Sequence, residues 1–417
     1  MGEFREACQG WRKLGLRLHW PDFPLDFAAP RRRANGMTST RRDFLLAVAG
    51  GLGTVPLLGA GGAPFRAAVI GHTGRGDYGH GLESIFAGRA GIEVVGVADP
   101  VEAGRNRVAK ILGGARAYAD WRQLLERERP QLVSLAMRHA DQHAEVALAC
   151  LRAGAHLYVE KPFTRTPAEA DSVLAEAQGR GFKVAVAHTM RMMPVVQKLR
   201  RAVGDGLIGE LREMRTWGKQ DHRAGGEDLM VLGSHLFDFM RCFAGDPLWC
   251  SARVLQQGRD VTRADRREVK DNVGWVAGDQ VNAQFAFARG VLGTFTSDAR
   301  LRETTARWGV ELHGSQGVAR LNCDLSPSGF VRQVTDWSAT GRREEWKPFA
   351  PELVQGAPEH NAAPVADWLD AIATKRDPEC SGRNGAWAVE MVAAVYAAAL
   401  GGRREEFPRQ ERNHPLQ

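Results

Sequence analysis

The chain has 417 residues, 44% hydrophobic and 25% charged, enough for two globular domains with real cores. Its formal net charge is +7, but nine of the 56 basic and five of the 49 acidic residues lie in residues 1–63, leaving 47 against 44 in the rest. So slight and scattered an excess gives no reason to expect a nucleic-acid partner. The six cysteines, Cys8, Cys150, Cys242, Cys250, Cys323 and Cys380, form no C-x-x-C pair and argue against a structural metal site built on cysteine.

In chain order, residues 1–36 hold Trp20-Pro21-Asp22-Phe23-Pro24 and Arg31-Arg32-Arg33, neither of which an export signal needs. They are read as a non-native upstream extension, with Met37 as the expected start. Thr40-Arg41-Arg42-Asp43-Phe44-Leu45-Leu46 is a twin-arginine signal pattern, followed by an apolar stretch over Phe44–Leu58 and small residues to Ala63. That stretch is short for a membrane span, which needs about 20 residues. A cleaved signal over residues 37–63 is expected, with a retained anchor or a buried helix as the alternatives. The address predicts a periplasmic protein that meets the twin-arginine machinery already folded. A nucleotide cofactor would then have to be bound tightly.

Phe65–Ile70 reads as a buried strand running into Gly71, and Gly74-x-Gly76-x-x-Gly79 fits G-x-G-x-x-G. Glycines there let the backbone turn sharply and approach a pyrophosphate, with Arg75 inside the turn. A helix is expected to follow and to aim its positive end at the phosphates. The next strand, Ile92–Ala98, ends at Asp99, 20 residues after Gly79. An acid there accepts hydrogen bonds from ribose hydroxyls and repels a 2′-phosphate, which favours NAD over NADP. The alternative for Asp99 is a helix N-cap before Pro100. Arg105, one turn on, is placed to meet a phosphate, which leaves NADP open.

The alternation continues with a short strand near Tyr118, a helix over Trp121–Arg127, a strand over Leu132–Ala136 and a helix over Asp141–Ala153 that buries Cys150. The strand Ala155–Val159, the helix Pro167–Gly179 and the strand Phe182–Ala187 complete it. Such repeats give a doubly wound parallel sheet with right-handed crossovers.

Glu160-Lys161-Pro162 stands just past the carboxyl end of the Ala155–Val159 strand, the edge where open α/β sheets bind ligands. A lysine there can donate to a reacting oxygen, with a pKa tuned by partial burial; a surface turn is the bland alternative. Arg138-His139 follows the fourth strand directly. His139 and His143 lie four apart, but no carboxylate motif completes a metal site, and none is expected.

Farther on, Val281–Phe287 and Gly293–Ser297 alternate like strands with one wet face. Val310–His313 and Gly317–Leu321 suggest a hairpin around Gly314-Ser315-Gln316, and Ala363–Thr374 and Ala386–Leu400 are helical patterns.

From Phe65 to its end the chain resembles the Gfo/Idh/MocA oxidoreductases, the glucose–fructose oxidoreductase and inositol dehydrogenase family. The likeness rests on the glycine turn, Asp99, the His143 helix, Glu160-Lys161-Pro162, His188 with Arg191, Leu207-Ile208-Gly209-Glu210, Gly233-Ser234-His235-Leu236-Phe237-Asp238 and Arg412-Asn413-His414-Pro415-Leu416. It implies a Rossmann domain over residues 64–189. Residues 190–417 would form a substrate-binding and oligomerisation α/β domain with a large, open, mainly antiparallel sheet, through which a homo-oligomer would pair.

The resemblance also assigns roles. Lys161 would contact the substrate oxygen and the nicotinamide, and His235 would move the proton. Gly71, Gly74, Arg75, Gly76, Gly79, Asp99, Arg105, Arg138, Glu160 and Lys161 would hold NAD, with Glu160 orienting Lys161 or a ribose. His139, His188, Arg191, Lys219, His222 and Arg223 would face a small sugar or polyol, unless the 219–223 stretch is only a solvated loop. The family places an aspartate four residues before its histidine. Here that residue is Val231, with Asp228 one helical turn earlier as its expected substitute. That departure leaves room for a rival to sugar dehydrogenation, an NAD-cycling glycoside hydrolase; a catalytically silent NAD-binding protein is the second rival.

Overall fold

A computed structural model describes residues 62–301, 308–323, 327–334, 345–353 and 360–417. The Arg41-Arg42 signal and the first 36 residues lie outside the described residues.

Strands β1 (Phe65–Ile70), β2 (Ile92–Ala98), β3 (Arg116–Tyr118), β4 (Leu132–Leu135), β5 (His156–Val159) and β6 (Val184–Val186) form a parallel sheet ordered β3-β2-β1-β4-β5-β6. The central strands are apolar runs buried on both faces, as a parallel sheet covered by crossovers requires. Local signals fix the helices between them. Asp120 caps Trp121–Glu128 by accepting from the Arg122 amide, and Thr166 caps Pro167–Arg180 by accepting from the Glu169 amide at 3.1 Å. Pro167 stands in the first turn, and left-handed Gly181 ends the helix.

One connection corrects the sequence reading. No α-helix follows the glycine turn; β1 and β2 are joined through a three-residue 3-10 turn, Leu82–Ser84. Asp77, His80 and Gly81 all take positive φ, which interrupts a helix before it can start. The segment pairs with the end of β4 instead: the Gly79 amide donates to the Ala136 carbonyl at 2.7 Å, and Tyr78 bridges Met137.

The second sheet contains β7 (Leu211–Trp217), β8 (Trp249–Gln256), β9 (Arg259–Asp260), β10 (Gln280–Ala286), β11 (Leu292–Asp298), β12 (Gly309–Gly314), β13 (Gly317–Asn322), β14 (Ser328–Gln333), β15 (Lys347–Phe349) and β16 (Glu405–Glu406). The order is β15-β14-β13-β12-β7-β11-β10-β8-β16, with β9 paired to β8. Among the described strands of this sheet, only β7 and β11 pair in parallel; the other neighbours run antiparallel. Side chains alternate between faces, and the buried set packs under helices Gly233–Ala244 and Gly382–Gly401. Phe237 meets Phe285 and Phe295 edge-on, at 5.0 and 5.3 Å.

The expected boundary near residue 190 separates the two sheets but not the helices that cover them. Helix Ala362–Thr374 returns to the first sheet, where Trp368 packs 5.8 Å from Tyr158 and 6.3 Å from Phe86. Helix Gly382–Gly401 serves both cores: Ala386 and Val389 pack with β5 and β6, and Met391, Val395 and Tyr396 with the second sheet. The two sheets are therefore held in register by shared helices, and the seam between them is where the site lies.

Candidate active site

Lys161 leaves β5 at its carboxyl end and is joined to Pro162 by a cis peptide bond. The turn is bolted down from behind by fully buried His143, whose ring nitrogens lie 2.9 Å from the Pro162 carbonyl and 2.7 Å from that of Met137. His143 thus supports the site without facing it. Lys161 Nζ points across the seam and donates to the Val231 carbonyl at 3.4 Å. Where the family has a carboxylate side chain, this chain presents a backbone oxygen. Burial pushes Lys161 below the ordinary lysine range; Glu160 opposes that, and the charges of Lys219 and Arg138 add to it.

His235 lies one turn after Val231, in helix Gly233–Ala244. Its ring meets His188 edge-on at 5.3 Å and Trp308 at 6.1 Å. His188 follows β6, so three strand or helix ends converge here. Burial, then Lys161 and His188, hold His235 well below its ordinary 6.5. His188 falls to about 4, chiefly through burial. Both imidazoles are therefore neutral at neutral pH. His235 Nδ1 and both ring nitrogens of His188 are buried without a hydrogen-bond partner. Orphaned groups of this kind are expensive unless a ligand satisfies them.

Glu160 is fully buried, and its Oε1 lies 2.7 Å from Nδ1 of His80 in the glycine turn. Burial alone would raise its pKa, but His80 and then Lys161 hold it below the usual carboxylate range. Its Oε2 has no partner. A Cβ on Gly79 would lie 2.6 Å from the Glu160 carboxyl carbon. The last glycine of the fingerprint therefore makes room for Glu160. His80 was missed by the sequence reading, although it sits inside the glycine run.

Elsewhere in the turn, a side chain on Gly71 would overlap the Tyr78 ring, and Gly76 backs onto Arg138, its would-be Cβ 3.0 Å from Arg138 Cδ. Gly74 lies against Val101 and His72. Arg75 pairs with Asp141 at 2.7 Å. Asp99 is buried at the end of β2; its Oδ2 accepts from the Thr73 amide (3.0 Å) and hydroxyl (2.6 Å), and its Oδ1 from the Val101 amide (2.9 Å). It thus ties the glycine turn to the next helix start. Arg105 folds back, donating to the Pro100 carbonyl at 3.1 Å and pairing with Glu102.

The other predicted residues divide into two groups. His139 and Arg138 come to the seam and meet a loop the sequence reading passed over: His139 Nδ1 is 3.1 Å from Asn272 Nδ2, and Arg138 pairs with Asp271 at 3.4 Å. Lys219 is near enough for its charge to depress both Lys161 and His235. The remaining four turn their side chains to other partners or to solvent. Arg191 is buried in an ion pair with Asp238 (3.0 Å) and a contact to Glu379. Arg223 is paired with its neighbour Asp221, and His222 is exposed. Asp228 turns to the second sheet, where its Oδ2 accepts from the Ser297 hydroxyl (2.8 Å) and the Lys219 amide (2.9 Å).

Burial raises Asp228 to about 6, against the lowering effect of those two donors. Because its folded pKa lies above its ordinary 3.8, its contribution to stability is complete below 3.8 and is lost as pH rises through 6. Asp228→Asn keeps one acceptor oxygen for both donors. It should therefore be more stable than the parent by about 1–3 kcal/mol at pH 8, with the advantage gone near pH 4. Urea denaturation of both proteins at the two pH values measures this.

The geometry defines a class: a two-domain α/β oxidoreductase that places a lysine and a neutral histidine at the nucleotide edge of a parallel sheet. Residues 65–188 match the oxidoreductase family with an NAD-binding Rossmann fold, and residues 186–406 match that family's C-terminal α/β domain. The chain belongs to the Gfo/Idh/MocA oxidoreductase family, and its cofactor is NAD. It is 24% identical to the D-apiose dehydrogenase of Paraburkholderia graminis, over 78% of this chain and 86% of that protein. It is 24% identical to the levoglucosan dehydrogenase of Pseudarthrobacter phenanthrenivorans, over 55% of this chain and 64% of that one, slightly under two thirds of its length. A solved levoglucosan dehydrogenase complex with NADH and levoglucosan superposes with a TM-score of 0.67 at 20% identity, covering 83% of this chain and all of that one.

The residues present fit the nucleotide. The unpartnered buried atoms of Glu160, His188 and His235 lie together at one end, and Asp99 stands at the end of the strand that precedes the adenosine-ribose position in such folds. With no helix after the glycine turn, pyrophosphate binding would rest on backbone amides of the turn and on Arg75 and Arg138 rather than on a helix end.

Proposed function

We propose that the chain transfers a hydride between NAD and a carbinol carbon of a sugar or polyol. NAD would supply the hydride acceptor or donor. Lys161 would hold the carbinol oxygen and stabilise the alkoxide as it develops. His235, neutral across the working pH range, would accept the hydroxyl proton in oxidation and return it in reduction. Glu160 would keep Lys161 charged, and His80 would lock Glu160 against the glycine turn. The meeting of Lys161, His188 and His235, with orphaned imidazole nitrogens, carries this reading. The dehydrogenase relatives, named for apiose and levoglucosan, support a hydroxyl-rich substrate.

We also propose, from the Arg41-Arg42 pattern, that the protein is exported folded with its nucleotide in place and, from the family resemblance, that it works as a homo-oligomer. Denaturing the purified protein and identifying the released nucleotide tests the first point; retained NAD or NADH is expected. Offering a panel of aldoses, polyols and glycosides with NAD⁺ should give NADH absorbance with at least one free sugar or polyol. Glycoside cleavage without NADH accumulation would instead assign the NAD-cycling hydrolase. Absence of both, with nucleotide still bound, would assign the silent protein.

A further inference from the structure

Behind the Arg138-His139 turn, a second cavity of about 240 Å³ opens where the start of helix Pro167–Arg180 meets the 268–275 loop and the 414–417 segment. It is somewhat smaller than the roughly 300 Å³ at which drug-sized ligand sites begin, so it suits a single ring. Three polar atoms of its lining are buried without partners: His414 Nε2, Arg165 Nε and Asp141 Oδ1. Each is left over from a side chain otherwise engaged. His414 is only 4% exposed, and its Nδ1 accepts from the Leu416 amide at 3.2 Å, so the proton sits on Nε2 and makes that nitrogen a donor. Arg165 holds Glu169 through Nη2 and through its own amide, both at 2.9 Å, which leaves Nε. Asp141 gives Oδ2 to Arg75 and keeps Oδ1.

The residues lining the cavity thus keep two donors and one acceptor that nothing in the protein satisfies. A hydroxyl can accept from one group and donate to another, and adjacent hydroxyls on a ring can meet all three. An anion is disfavoured, because Asp141, Glu169 and Glu268 also line the wall. A cation is disfavoured by the two donors. Trp275, carrying Arg266 4.9 Å from its ring, lines the same wall and offers apolar surface to the C–H face of a sugar.

We propose that this cavity is a second binding site, separate from Lys161, for a neutral hydroxyl-bearing ring such as a cyclitol or pyranose. It is joined to the nucleotide side twice. Asn272 lines the cavity and contacts His139, and Asp141 lines it and holds Arg75 of the glycine turn.

Saturation-transfer-difference NMR on the full chain tests the site, with myo-inositol and methyl α-D-glucopyranoside as probes. The Lys161→Ala variant should retain the signal of at least one probe. Adding Trp275→Ala or His414→Phe should weaken its binding about tenfold, and inorganic phosphate should not compete. Thermal melts establish that the variants fold. Should either unfold, Arg165→Lys, which keeps the charge and removes Nε, gives the deciding measurement with the same expected loss. No signal in Lys161→Ala, or a signal indifferent to the cavity substitutions, overturns the proposal. Because the readout is binding in a variant disabled at Lys161, failure here leaves the hydride-transfer reading standing.

Discussion

Lys161→Ala is expected to lower kcat/KM on a confirmed substrate about 10³-fold, with most of the loss in kcat. Lys161 reaches the seam from the end of β5, and its ammonium is held by one backbone oxygen, that of Val231, at 3.4 Å. A group so lightly held is free to transfer its hydrogen bond to a substrate oxygen that gains charge. Removing it takes away an interaction that strengthens in the transition state, which is why kcat falls rather than KM rising alone. His235→Ala should cost about 10²–10⁴-fold, the usual span for a lost general base. If the two act on one oxygen, the double variant should lose little more than the worse single variant.

The pH profile gives an independent check. For oxidation, His235 must be neutral and Lys161 charged. Burial shifts both pKa values downward, so kcat/KM should form a bell whose acid limb lies below 6.5 and whose alkaline limb lies below 10.5. Lys161→Ala should remove the alkaline limb. Full turnover in both single variants would refute the mechanism.

Much of this was legible in the sequence because periodicity and strand ends are local properties. The buried strands β1, β2, β4, β5 and β6, Asp99 at the end of β2 and Lys161 at the end of β5 follow from apolar runs and their punctuation. The missing helix after the glycine turn did not, because G-x-G-x-x-G specifies a tight turn and not what the chain does beyond it. Here His80 and Gly81 at positive φ, with Gly79 bonded to Ala136, divert the segment onto β4. Asp228 shows the same limit. Its place one turn before Val231 suggested a partner for Lys161, but helical spacing does not say which face meets the lysine. Ser297 and the Lys219 amide, from the sheet side, claim its carboxylate. The Asp271-Asn272 loop carried no motif at all. Its contacts with Arg138 and His139 link residues 133 apart in the chain, which no local pattern encodes.

Arg191→Met is the substitution expected to damage the fold most. The sequence resemblance placed Arg191 toward the substrate, whereas its side chain is 6% exposed and lies 3.0 Å from Asp238, itself 3% exposed. A second guanidinium nitrogen donates to the Glu379 carbonyl at 3.0 Å, so the residue ties helix Gly233–Ala244 to the segment that leads into helix Gly382–Gly401. Removing one partner of a buried pair strands the other's charge, at a cost of about 3–5 kcal/mol. For a chain of this size that corresponds to a fall in melting temperature of roughly 10 °C. Adding Asp238→Asn removes the stranded charge and should restore about half of the loss. A substrate-facing arginine would behave differently: Arg191→Met would raise KM several-fold with its melting temperature unchanged. Because His235 lies one turn before Asp238 on the same helix, the structural reading makes a further demand. The folded fraction of Arg191→Met should lose kcat through a displaced His235, and Asp238→Asn should recover kcat together with stability. Recovery of stability without kcat would return Arg191 to the substrate.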